Sequence, residues 1–196
     1  MQTQIYEQLF NFFHLLTDVP NAELEKITNI FSKENLKAGD FFIQGGEVPT
    51  KLGFVVSGIL RLFYINEFGI EITKSFCTKN NFVTVYSSLL LNQPSRVFID
   101  VLEDAHLLVV NYDDYKRLAF GNPCWNIINL KLAQGFLINK ERRESELLLD
   151  DEATRYIRFL NDYPGLENRI QTDYIASYLG MTSESLNQIR SEFRGF

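Results

Sequence analysis

Cysteine and histidine are nearly absent from this chain, and their scarcity removes whole classes of chemistry. Cys77 and Cys124 lie far apart with no partner pattern, which leaves a disulfide framework, a zinc site and a cysteine-ligated iron–sulfur cluster unsupported. Each reads as a small buried hydrophobe. His14 and His106 are equally isolated, and packed or surface roles fit them better than those of ligand or general base. Long apolar runs are missing as well. Leu9–Leu16 is interrupted by Asn11 and His14, and the uncharged stretch Asn80–Ser95 is rich in Asn, Ser, Thr and Gln. Nothing approaches the roughly 20 apolar residues of a membrane helix. No lysine or arginine precedes Lys26, and Glu7 stands near the N-terminus. No secretory leader is expected, and a cytoplasmic protein with no membrane partner is the simple expectation. No paired carboxylate, nucleophile–base set or phosphate loop reaches motif quality, so an enzyme is the weakest functional class.

Basic charge is short too. A net charge of −6 and a pI near 5.0 argue against a nonspecific nucleic-acid coat protein. Within residues 150–196, Arg155, Arg158, Arg169, Arg190 and Arg194 are outnumbered by Asp150, Asp151, Glu152, Asp162, Glu167, Asp173, Glu184 and Glu192. That balance opposes DNA binding, unless a few arginines meet phosphate while the acids face away.

What is present is apolar and aromatic. At 196 residues and 45% hydrophobic composition, the chain can bury a real core as one large domain or two small ones. Its 17 Phe and 9 Tyr suit a β-rich module. Residues 1–31 read as helical: Ile5, Leu9, Phe12, Phe13 and Leu16 keep the helical period, and Leu24, Ile27, Ile30 and Phe31 resume it after Pro20-Asn21. Packing on a neighbouring domain fits these helices better than a membrane surface, for want of basic residues. From Ser32 to about Asn111 the texture changes to short β-like runs broken by glycine, which predicts a sandwich or barrel of jelly-roll character. A helix follows around Tyr112–Phe120, then a break at Gly121-Asn122-Pro123, then a long helix to about Leu149. Trp125, Ile128, Leu132 and Phe136 stripe this helix at steps of three, four and four, with Gly135 small enough for close approach. The stripe fades through Asn139–Glu146, which reads as a solvated turn or a polar part of an interface. Another helix runs from the acids at 150–152 to the break at Pro164-Gly165.

The stretch Thr172–Arg194, TDYIASYLGMTSESLNQIRSEFR, carries the most specific pattern. Ile175, Ala176 and Leu179 share one helical face, and Leu186, Ile189 and Phe193 share another. Gly180 between them can take the positive φ of a sharp helix-to-helix turn. Thr182 can cap the second helix, with Glu184 favourably placed in its first turn. The exposed face then offers Ser183, Glu184, Asn187, Gln188 and Arg190 to base edges and phosphates.

The spacing of Ala176, Gly180, Leu186 and Ile189 resembles the helix-turn-helix of bacterial transcription regulators. Independently, Gly39-Asp40, Gly46-Glu47 and the run Phe54-Val55-Val56-Ser57-Gly58-Ile59-Leu60-Arg61 are similar to the cyclic-nucleotide-binding β-roll. A β-roll, a long helix and a C-terminal helix-turn-helix, in that order, resemble the Crp/Fnr family over nearly the whole chain. The resemblance implies an α+β fold: N-terminal helices and a double-stranded, jelly-roll-like β-roll over 1–121, a dimerisation helix over 122–149, and a winged helix-turn-helix domain over 150–196. It implies a homodimer paired through the helix of Trp125, Ile128, Leu132, Gly135 and Phe136, although that stripe can also pack on its own β-roll. Double-stranded DNA with a near-palindromic operator, and RNA polymerase, are the implied partners. Thr182, Ser183, Glu184, Asn187, Gln188, Arg190 and Arg194 are the implied DNA contacts, with Arg169 a further phosphate candidate. Ser183 and Gln188 stand where cyclic-AMP-responsive members carry arginine, so a different operator is expected.

The effector region departs from the family pattern. In nucleotide-binding members a glycine–glutamate pair opens a short helix, and an arginine follows to hold the phosphate. Here Val83 and Thr84 occupy the glycine–glutamate place, and Arg96 is the remaining phosphate candidate, with Tyr86, Ser87 and Ser88 lining the same region. No cofactor is expected, and cyclic AMP is not the expected effector; another small ligand or a filled cavity stays open. The rival reading is a small-molecule-binding or protein-interaction module whose helix-turn-helix no longer binds DNA, motivated by the acidic C-terminal region.

Overall fold

The computed structural model describes the backbone of residues 2–194 and the side chains of 5–193. It divides into two compact units, residues 1–63 with 76–134, and residues 64–75 with 135–196. The tip of one β-hairpin belongs with the C-terminal helices, and the long helix contributes to both units.

The first unit opens with helices α1 (Gln2–Leu16) and α2 (Asn21–Ile30). Pro20 sets the start of α2, its carbonyl accepting from the Glu23 and Leu24 amides at 2.8 and 3.2 Å. Six strands follow among the described residues: β1 (Ser32–Leu36), β2 (Phe41–Ile43), β3 (Lys51–Ile65), β4 (Glu71–Cys77), β5 (Phe82–Val83) and β6 (Val97–Asn111). Their order is β1-β6-β3-β4, with β2 also on β6 and β5 on β3. Helix α3 (Tyr86–Leu91) lies between β5 and β6, and α4 (Tyr112–Ala119) and α5 (Pro123–Leu149) come after. The side chain of Asn111 caps α4, accepting from the Asp113 amide at 2.9 Å. The architecture is the expected α+β roll, long helix and C-terminal helices.

Strand alternation separates two cores. Leu52, Phe54, Val56, Leu108 and Val110 face the helices, packing with Leu9, Phe13, Leu24, Ile27, Trp125 and Ile128. Their sequence neighbours Val55, Leu107 and Val109 face the other way, with Phe42, Ile43, Leu60, Leu62 and Val83. The aromatic richness of the chain concentrates in the first core. Phe54 and Phe82 sit 5.3 Å apart, Phe12 is 5.5 Å from each, and Phe13 meets Trp125 edge-on at 5.4 Å. Each such buried ring contributes roughly 1.5–3 kcal/mol through burial alone. The Trp125 indole N–H donates to the buried Glu23 at 2.8 Å, tying α5 to α2. Both cysteines are buried, and burial pushes the Cys77 thiol up to about 12.

The stripe of α5 packs in part within its own unit. Trp125 and Ile128 are buried in the core of their own unit, with the half-buried Leu132 packed against it, as packing on its own β-roll implies. The residues Asn139–Glu146 form no turn but continue the helix. Arg142 and Arg143 both pair with Glu146, at 3.7 and 3.2 Å and helical spacing, which favours the helix. No helix among the described residues is long and apolar enough to cross a membrane.

The second unit holds α6 (Glu152–Asp162), a short 3-10 helix (Leu166–Asn168), α7 (Thr172–Leu179) and α8 (Ser183–Arg194). Asp151 caps α6, accepting from the Thr154 amide at 2.8 Å. The turn of the hairpin tip is closed by Asn66, whose side chain accepts from the amides of Phe68 and Ile70 at 3.0 and 2.9 Å. Among the described residues no strand follows β6, so the wing expected beside the helix-turn-helix has no counterpart there.

One charged pair is buried in the first unit. Arg61 is 1% exposed. It donates through Nε and Nη2 to the two Asp100 carboxylate oxygens at 3.2 and 2.8 Å, and its guanidinium lies 4.0 Å over the Phe63 ring. Removing one partner of such a pair strands the other charge away from water. Asp100→Ala is therefore expected to destabilise the protein by roughly 3 kcal/mol. Urea unfolding checks this; an unchanged midpoint contradicts it.

Candidate nucleic-acid interface

Helices α7 and α8 form the bend that the sequence pattern anticipates. Gly180 has φ +68°. The Met181 amide donates to the Ala176 carbonyl at 3.1 Å and the Gly180 amide to Ser177 at 3.2 Å, the double closure of a Schellman motif. A Cβ at Gly180 would also stand 3.3 Å from the Leu147 side chain. Ile175, Ala176, Leu179, Leu186 and Ile189 are all buried, with Tyr156, Phe159 and Leu166. Phe193 stays 46% exposed and leans on Tyr156, with ring centroids 6.0 Å apart.

The opposite face of α8 is open. Thr182 is its cap, accepting from the Ser185 amide at 3.1 Å. Glu184, Asn187 and Gln188 are exposed, and Ser183 is half-buried. Ser183 donates its hydroxyl proton to Asp173 on α7, and the Gln188 amide nitrogen donates to Glu192 at 3.2 Å. The two carboxylate partners, Asp173 and Glu192, were not anticipated. Glu192 sits at helical spacing i+4 from Gln188, a signal available in the sequence; Asp173 is reached only across the bend.

Arg190, implied as a phosphate contact, is engaged within its own unit. Its side chain is 15% exposed, and it faces inward. Nη1 donates to Thr172 at 3.0 Å, Nε lies 3.9 Å from Glu167, and the guanidinium stands 5.9 Å from the Tyr156 ring centroid. Glu167 in turn accepts from the Tyr156 hydroxyl at 2.5 Å. Arg190 follows the buried Ile189 by one residue, so it lies at the edge of the core face and braces α8 against α6 and α7. Other arginines are also engaged: Arg158 pairs with Asp150 at 2.8 Å, Arg142 with Asp162 at 2.9 Å, and Arg155 donates to the Asp150 carbonyl at 2.7 Å. Arg169 is exposed. The Arg194 side chain lies outside the described residues.

The outer side of α7 meets the hairpin tip. Ser177 accepts from the Thr73 amide at 2.9 Å and donates to the Glu71 carbonyl at 3.4 Å. One hydroxyl thus satisfies both backbone polarities of a strand. Arg143 on α5 donates to the Tyr178 carbonyl and lies 4.0 Å over its ring.

The six candidate effector residues differ in burial. Val83 and Thr84 are buried; Val83 belongs to the second core, and the Thr84 hydroxyl donates to the Lys51 carbonyl at 3.1 Å. Ser87 and Arg96 are exposed, and Tyr86 and Ser88 are half-buried. A buried charged pair in the roll is Arg61 with Asp100. Arg61 stands inside an apolar run, which is the trace it leaves in the sequence.

Comparison with known proteins fits this geometry. Residues 33–122 match the family model for the cyclic nucleotide-binding domain. No curated protein sequence matches. The structure is similar to FixK2 from Bradyrhizobium japonicum, with TM-score 0.74 and 15% identity over 85% of each chain. It is similar to CLP of Xanthomonas campestris, a c-di-GMP responsive global regulator, with TM-score 0.70 and 15% identity over 90% of this chain and 92% of that one. It is also similar to the catabolite activator protein of Thermus thermophilus, with TM-score 0.57 and 21% identity over 92% and 86%. Over most of its length the chain has the fold of the Crp/Fnr regulators.

The brace formed by Arg190 has a measurable consequence. Arg190→Ala removes its charge-assisted bond to Thr172 and its charge beside Glu167, and is expected to lower stability by roughly 1–3 kcal/mol. A role confined to phosphate would leave the urea midpoint of the free protein unchanged.

Proposed function

We propose that this protein is a homodimeric, sequence-specific DNA-binding regulator of transcription, and not an enzyme. The observation that carries the reading is α8 itself. Its apolar face is buried, its start is capped by Thr182, and its polar face with Glu184, Asn187 and Gln188 is open. A helix so presented can enter the major groove with its first turns against base edges. The regulators that share the fold support the same assignment.

Pairing uses a different face of α5 from the buried Trp125 and Ile128. Ile127, Leu130 and Leu137 recur at steps of three and seven, and they are 43%, 58% and 56% exposed. A second copy would cover this stripe along a two-fold axis, with Phe136 beside it and open space at Gly135. Two copies of α8 about 34 Å apart would then read successive major grooves of a near-palindromic operator. RNA polymerase is the partner a regulator of transcription requires. Cyclic AMP is not the effector in this reading, because Val83 and Thr84 are consumed by the core and Thr84 supplies no charge.

The engaged arginines favour a second reading, in which the helix-turn-helix has lost DNA. Gel-shift titration against duplex from the promoter of the protein's own gene separates the two. With Arg169 and Arg194 as the phosphate contacts of each copy, the slope of log K against log salt is expected to be no steeper than about −4. A folded dimer that shifts no duplex favours the second reading. Glu184→Ala is expected to relax sequence preference more than it weakens nonspecific binding; equal loss on every duplex refutes that role. Leu137→Asp is expected to yield a folded monomer by sedimentation, since the residue contributes little to the core of its own chain, and an intact dimer would refute the pairing.

A further inference from the structure

The reading face of α8 is tied to two carboxylates on its flanks, and these ties restrict what it can donate. A serine hydroxyl has one proton to give and two lone pairs. Ser183 spends its proton on Asp173 of α7, so only lone pairs remain for the groove. Gln188 presents its amide nitrogen to Glu192 at 3.2 Å. That bond fixes which end of the amide is which, turning the carbonyl oxygen away from Glu192 and leaving one N–H. Glu184, exposed in the first turn, can only accept when ionised.

We propose that α8 is an acceptor array that selects base pairs by the strand bearing the amino group, with Asp173 and Glu192 as positioning residues that set this polarity without touching DNA. The inference rests on the DNA-binding reading above and names what that site would recognise. In the major groove the donors are the N4 amino group of cytosine and the N6 amino group of adenine. Guanine offers only acceptors there, and thymine an acceptor and a methyl group. Each base pair therefore carries one amino group, on one strand. Ser183 and Glu184 accept from cytosine or adenine; Gln188, with carbonyl and remaining N–H, matches adenine N6 and N7. The contacted strand of each half-site is rich in cytosine and adenine. Reversing such a pair sets acceptor against acceptor, a loss of roughly tenfold per position.

The test is selection from a randomised duplex pool by the full-length protein, followed by competition gel shifts. The wild type is expected to enrich cytosine or adenine on one strand at adjacent positions of each half-site. Asp173→Ala frees the Ser183 proton, so the preference at one base pair collapses toward equality while affinity for the best duplex changes less than about threefold. Glu192→Ala does the same at a different base pair, because the Gln188 amide can then turn over. Adding Asp173→Ala to Ser183→Ala changes nothing further in the profile, as required of a residue acting through another. Asp173 and Glu192 are exposed, and a circular dichroism melt confirms that the variants fold. Enrichment of guanine or thymine on the contacted strand, or profiles unmoved by both substitutions, overturns the proposal while the DNA-binding reading stands. Failure of the folded wild type to retain any duplex at low salt overturns both.

Discussion

The roll depends on a close approach between its two longest strands. Gly58 lies in the middle of β3 with φ +98°, and a Cβ there would stand 2.5 Å from the Ala105 Cα and 2.7 Å from the Asp104 carbonyl oxygen. No side chain fits, and no L-residue takes that φ without strain. The break lets fifteen-residue strands serve two sets of partners. β6 pairs with β2 at Ile99 and Asp100, and with β1 from Ala105 to Val109. β3 pairs with β5 through Gly53 and Phe54, before the same point. The two cores fill the two faces of these strands, and α1, α2 and α5 are placed by the first of them.

Charge in the second unit is spent mainly on holding it together. Asp150 takes Arg158 and the backbone-directed Arg155, Asp162 takes Arg142, Glu146 takes Arg142 and Arg143, and Glu167 faces Arg190. An acidic composition is thus compatible with the proposed reading role of α8, because most arginines of the unit are paired within it. The consequence runs from composition to recognition. In the proposed DNA-binding role, discrimination would then come from base edges, where acceptors such as Glu184 act over short range and without salt-dependent counterion release.

Local signals were legible in the sequence and long-range ones were not. The bend at Gly180, the Thr182 cap and the buried set from Ile175 to Ile189 all follow from spacing within one short stretch, and the structure has them. The long helix also read correctly in extent, because Pro123 and the apolar stripe mark it. Whether its stripe packs on its own roll or on a second copy stayed open in the sequence, because Trp125 is turned inward by Phe13 and Glu23, more than a hundred residues earlier. The same reason hid the pair of Arg61 with Asp100, and the pairing that buries Val83 against Gly53. The inward turn of Arg190 follows from its angle: a polar residue one step from a buried position can swing to the core edge when an acid such as Glu167 waits there.

Helix α7 shows how little freedom the reading head has within its unit. It is eight residues long, too short to be stable alone in water, and every side of it is occupied. Ile175, Ala176 and Leu179 pack in the core, Ser177 completes the backbone bonding of the hairpin tip, the Tyr178 carbonyl takes Arg143, Thr172 takes Arg190 and Asp173 takes Ser183. A helix held at so many points cannot shift without breaking contacts to α5, α8 or residues 64–75. The position of α8 is therefore specified through α7 by short, directional bonds rather than by packing alone. In the proposed role, where α8 would set a serine, a glutamate and a glutamine against particular base edges, that kind of support is what accurate reading requires.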